Sequence, residues 1–202
     1  MQKIMFNDRY GLTAAVLEGR KTMTRRIISP AVWEAYYRLV SGKYLSVEKS
    51  FEYLARLSPI KVGEVVAIAQ SYRTVMRTYP LTREELNENG VDNNKYLRGL
   101  DNKMFVKPTL MPHYIKITDL KVERLQHITD EDCLREGIIA DKMTAFTTSG
   151  FKTSVDSFRC EGIDKDFSTA RYAFAALIDK VGKKGTWASN PWVFCYSFEL
   201  VD

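Results

Sequence analysis

Eight consecutive residues, from Gly19 to Arg26 (GRKTMTRR), gather four cations and two hydroxyls behind a helix-like run. Arg20, Lys21, Arg25 and Arg26 at that density suit one wall of a site that handles something anionic. The bland alternative is a solvated edge, because Lys and Arg after a helix also complement its C-terminal dipole. Other chemistries have little to work with. Only His113 and His127 are present, and Cys133, Cys160 and Cys195 are widely spaced. Neither a zinc centre, nor a disulfide framework, nor a Ser-His-Asp triad is written in such a chain. No metal and no cofactor is expected.

The elements around this stretch must position it. A short strand over Lys3 to Phe6 precedes a helix from about Asp8 to Glu18, with Leu12, Ala15 and Val16 on one face and Asn7 or Asp8 as cap. Gly19 suits the left-handed residue that ends a helix. Thr22, Thr24, Ile27 and Ile28 then favour extended chain, so KTMTRRII enters a strand. Side chains alternate along a strand, which would turn Lys21 away from Thr24. Both reach one site only if Arg20 and Lys21 still belong to the turn.

Ser29-Pro30 opens a helix through Val40, and Ser46 to Leu57 forms another. Val65 to Ala69 is a continuous apolar run, as in a strand buried on both faces, with Tyr72 near its end. The polar stretch from Arg73 to Asn102 carries turn signals at Asn89-Gly90 and Asn93-Asn94 around a short helix marked by Thr82 and Glu85. Ile115 to Leu125 alternates and then slips by one residue, which predicts a bulge near Asp119. ITDEDCLREG predicts a helix capped by Thr129, with Asp132 closing a capping box and Ile128 stapled to Cys133. Ala140 to Asp166 lacks periodicity and reads as a lid or a disordered segment. A helix follows from Ser168 to Val181, and Trp192 to Leu200 is a final strand with one aromatic face. That face reads as core rather than a base-stacking platform.

Composition bounds the rest. Hydrophobic residues make up 45% of the 202, which is enough for a core in one domain. Thirty Lys and Arg against 25 Asp and Glu favour anionic partners such as nucleic acid. No apolar run approaches ~20 residues and the first residues lack a signal-peptide core, so a cytoplasmic protein with no membrane partner is expected. Strands interrupted by single helices, with the strand-like stretches far apart, suit a small mixed barrel. The expectation is one α+β domain over residues 1–202, with insertions at 29–58, 73–102 and 140–166.

Four segments together resemble the ASCH family, a branch of the PUA-like fold, in its larger, phage-associated form. They are Gly19-x-Lys21-x-x-Thr24 followed by Arg25 or Arg26, then KVGEVVAIAQSY, then ITDLKVERLQHITDEDCLREGI, and a closing W…NPWVFCYSFEL. The resemblance implies a PUA-like mixed β-barrel with helices packed on it. Some small relatives remove the acetyl group from N4-acetylcytidine, and their motif carries the catalytic roles onto Lys21, Thr24 and Glu136. The chain departs from relatives at Ala67, Ala69, Gln70 and Tyr72, where many have Trp, Arg, Glu and Trp.

These residue types suit amide hydrolysis. Thr24 supplies a hydroxyl, to attack directly or to orient a water. Lys21, if desolvated beside arginines, loses its proton readily and acts as base. Glu136 stands at a helix end whose dipole disfavours it by ~0.3–1 kcal/mol, and it can hydrogen-bond or protonate a departing amine. Taken alone, Thr24 is a β-former and Glu136 a surface charge. A second reading is a non-catalytic RNA-binding module in which Arg20, Lys21, Arg25 and Arg26 contact phosphates and an aromatic such as Tyr72 stacks on a base. A third is an interaction protein that docks through the Ser29 to Leu57 helices.

Overall fold

A computed structural model describes residues 1–78, 84, 101–104, 106–146, 148–149 and 151–201, with backbone alone at 146. The expected signals at Thr82, Glu85, Asn89-Gly90 and Asn93-Asn94 lie outside the described residues.

The chain is a mixed α+β protein. Strands β1 (Lys3–Ile4), β2 (Met23–Ile27), β3 (Val65–Ile68), β4 (Tyr114–Arg124) and β7 (Trp192–Val201) form one sheet in the order β1-β3-β4-β7-β2. Only the β1–β3 pair is parallel. β5 (Ile139–Phe146) and β6 (Lys152–Arg159) form a separate hairpin. Among the described residues the α-helices are α1 (Leu12–Leu17), α2 (Pro30–Val40), α3 (Val47–Arg56), α4 (Tyr72–Thr78), α5 (Asp130–Arg135), α6 (Ala170–Val181) and α7 (Thr186–Ser189).

The sheet is not a closed barrel. β1 and β2 remain its two edges, and β1 is too short to offer a ladder. An Arg26 side chain crosses between them instead, its Nη2 donating to the Met5 carbonyl at 2.6 Å.

Long-range order comes from β7, whose residues Val193 to Phe198 are all buried between β4 and β2. The aromatic face expected there is core, and the opposite face is covered as well. Phe194, Tyr196 and Phe198 pack with Ile4, Phe6, Val66, Ile68, Ile115 and Ile117, under Val16 of α1 and Phe174 and Leu177 of α6. A second, smaller cluster of Ala67, Tyr72, Val75, Val106 and Met111 covers the other side of β3. The β4 slip is real: Ile117 faces Phe198 and Asp119 faces Ser197, so Thr118 is the extra residue. Bulging there keeps Leu120 and Val122 packed against the main core.

Three local expectations change. The single helix over Asp8 to Glu18 is a 3₁₀ turn at Asp8–Tyr10 followed by α1, because Gly11 sits between them at φ 61° and interrupts the right-handed run. Tyr72 does not extend the strand but opens α4, where it is buried. Ala140 to Asp166 is not featureless, since most of it is the β5–β6 hairpin. Most side chains on both of its faces are exposed, so no burial pattern was imposed on its sequence.

Candidate functional site

Gly19, at φ 73°, ends α1 and turns the chain, and Lys21 N–H then reaches back to the Ala15 carbonyl at 2.8 Å. β2 starts only at Met23. Lys21 therefore belongs to the turn, as a shared site with Thr24 requires. Thr22 N–H bonds the Arg135 carbonyl at 2.9 Å and stitches this turn to the end of α5. α5 itself is set by its cap, the Thr129 hydroxyl accepting from Asp132 N–H at 3.1 Å. These two anchors bring Glu136, the residue that closes α5, over Lys21.

Lys21 Nζ donates to Glu136 Oε2 at 2.6 Å and to the Glu136 carbonyl at 2.8 Å, with both side chains almost fully buried. Arg25 Nη1 donates to the other carboxylate oxygen at 3.2 Å. Arg25 also pairs with Asp132 at 2.7 Å and Glu123 at 2.8 Å, and touches Met23 Sδ at 3.2 Å. The dipole penalty expected for Glu136 is thus met by two cations. Asp132, expected to close the capping box, has turned its carboxylate to Arg25.

Burial pushes the Lys21 ammonium below the ordinary lysine range, Glu136 opposes that shift, and Arg26 and Arg25 add to it. Desolvation is thus the main cause, with the arginines secondary. Burial alone would lower Arg25 too, yet the surrounding carboxylates, Glu136 first, hold it above its ordinary value. Arg26 is lowered, chiefly by burial. Its Nε is buried without a hydrogen bond, and among the described residues no carboxylate pairs with it.

A cavity of about 60 Å³ is lined by Lys21, Thr24, Arg25, Arg26 and Glu136, with Phe6 and the α6 side chains Phe174 and Leu177 among its apolar walls. The Phe6 ring lies 5.9 Å from Lys21 Nζ and 5.8 Å from the Arg26 guanidinium, within cation–π range of both. Thr24 carries the only hydroxyl on this wall among the described residues. Lys21, Thr24 and Glu136, up to 115 residues apart, are thus brought together.

Other candidates are not. Arg20 is outside the cavity, bonded to Glu18 at 2.7 Å. Tyr72 lies in the second core cluster, on the far side of β3. Glu123 and Asp132, which complete the Arg25 cluster, had no sequence signal beyond charge; the Asp132 spacing pointed to a cap. Phe6 was legible only as an apolar strand residue.

No family model, no curated protein and no solved structure matches this chain.

Proposed function

We propose that the chain is an ASCH protein of PUA-like type that hydrolyses an acylated exocyclic amine, as in N4-acetylcytidine, at Lys21, Thr24 and Glu136. One observation carries the reading. An amine and a hydroxyl from one short stretch and a carboxylate from a segment 115 residues away line one cavity, and the amine is held at 2.6 Å from the acid. Burial lowers the proton affinity of Lys21, the direction a lysine base requires.

In the proposed reaction, Lys21 hands a proton to Glu136 across their 2.6 Å contact, and Thr24 Oγ1 adds to the acyl carbon while its proton passes to the amine so freed. Arg26, with one uncommitted N–H, offers positive potential to the oxyanion. The C–N bond then breaks as the departing amine takes a proton from the Lys21–Glu136 pair. Water cleaves the Thr24 ester, releasing acetate and restoring the hydroxyl. Arg25 acts as a positioning residue that fixes the Glu136 carboxylate.

The RNA-module reading requires a strip of exposed cations. Lys21 and Arg25 are buried and ion-paired, which weighs against phosphate contacts from them. The test is to incubate the protein with N4-acetylcytidine and follow cytidine release. Lys21→Ala and Glu136→Ala are expected to lose about 10²–10⁴-fold in kcat/KM. Absence of turnover by the wild type, or full activity in Lys21→Ala, refutes the assignment.

A further inference from the structure

The catalytic cavity has room for a small acyl group but not for a base and its sugar, since ligand pockets usually enclose ~300–1,000 Å³. Beside it runs a groove of about 340 Å³, between the β1 and β2 edges that fail to pair. Ile4, Ile60, Phe194 and Tyr196 contribute to its walls. Met5 and Arg26 line both spaces, and the hydrogen bond between them forms the partition.

We infer that this groove is the subsite for the flat heteroaromatic ring of the substrate, with the acyl group passing the Arg26–Met5 partition into the small cavity. The inference rests on the hydrolytic reading above and extends it. Three features favour a planar, carbonyl-bearing ring over an aliphatic chain. Two unpaired strand edges bound a slot, the walls are largely apolar, and Arg26 supplies a cationic Nε–H that makes no hydrogen bond among the described residues. A ring carbonyl can compete for Arg26 with the Met5 carbonyl, which opens the partition as the ligand enters.

Ile27 tests this without touching the catalytic wall, since it lines the groove and the residue is 54% exposed. Ile27→Trp is expected to raise KM for N4-acetylcytidine roughly tenfold or more while kcat stays within about threefold. Arg26→Lys keeps the charge, loses the fork, and is expected to lower both parameters. If the wild type turns over and Ile27→Trp leaves KM unchanged, the groove assignment falls and the hydrolytic reading stands. If the wild type is inactive, ¹³C-methyl spectra of Ile4, Ile27 and Ile60 during a cytidine titration decide. Shifts concentrated at these methyls uphold the groove as a base site although hydrolysis has failed, and their absence overturns both.

Discussion

Replacing Arg25 by Met keeps most of the side-chain volume but strips the guanidinium that contacts Glu123, Asp132 and Glu136 together. The size of the effect depends on solvent access. Exposed ion pairs contribute ~0–1 kcal/mol, whereas removal of one partner from a buried cluster costs ~3–5 kcal/mol. Arg25 is 1% exposed and Glu136 5%, and even the outer carboxylates are only 21% and 23% exposed, so water cannot replace the lost partner. The buried range applies. For a chain of this length each kcal/mol moves Tm by ~2–4 °C, giving a fall of roughly 6–20 °C. Urea unfolding followed by far-UV circular dichroism measures the change directly. Adding Glu123→Gln and Asp132→Asn to the Met variant should recover part of the loss, because fewer uncompensated charges remain. A Met variant within about 1 kcal/mol of wild type, or a triple variant no better than the single, would show that the cluster is not a unit.

Three further outcomes are expected. Tyr196 OH and Ser58 Oγ lie 2.6 Å apart, and Ser58 also donates to the Ile60 carbonyl. Ser58→Ala removes the hydroxyl that the buried phenol bonds and should cost ~1–3 kcal/mol, whereas Tyr196→Phe leaves Ser58 bonded to the Ile60 carbonyl and should cost ~0.5–1.5 kcal/mol by the same urea assay. Burial pushes the thiols of Cys133 and Cys195 up to about 12 and that of Cys160 to about 11, from an ordinary value near 9. Folded and unfolded chains both keep these protons below pH 9, but only the folded chain keeps them above it. Stability should therefore fall as pH rises from about 9 towards 12, and a disulfide exchange reagent at pH 8 should find no reactive thiol until denaturant is added. Gly162 has φ 70°, and a Cβ there would lie 2.3 Å from the Arg9 carbonyl oxygen. Gly162→Ala should cost at least the ~1–2 kcal/mol of the left-handed conformation, seen as a lower urea midpoint.

Much of this architecture was legible because local chemistry and tertiary demand agreed. Ser29, Ser46 and Thr129 cap the helices that their sequence contexts predict. Gly19 ends α1, and the phase slip in β4 announced its bulge. Legibility failed where the deciding partner was distant. The Arg25 cluster joins β2, β4 and α5 across about 100 residues, and no periodicity encodes that meeting. The β5–β6 hairpin was missed because strands exposed on both faces have no reason to alternate. The barrel expected from the strand pattern and from the resemblance depends on whether two edges hydrogen-bond, a matter of a few residues in β1 that neither reports. For the site, the resemblance named Lys21, Thr24 and Glu136; residue chemistry added the need for a turn at Lys21 and overlooked Phe6 as the wall beneath it.

Thr118 sets the phase of everything that follows it in β4. Ahead of it, odd-numbered Ile115 and Ile117 point inward; beyond it, even-numbered Leu120 and Val122 do, leaving Glu123 free to meet Arg25. Excising that one exposed threonine would leave Ile115, Ile117, Leu120 and Val122 in unbroken alternation with every pairing to β7 kept, so the strand would lose its kink and not its sides. Only at this point can β4 shed a residue cheaply; a deletion elsewhere along the strand would turn one of its halves over.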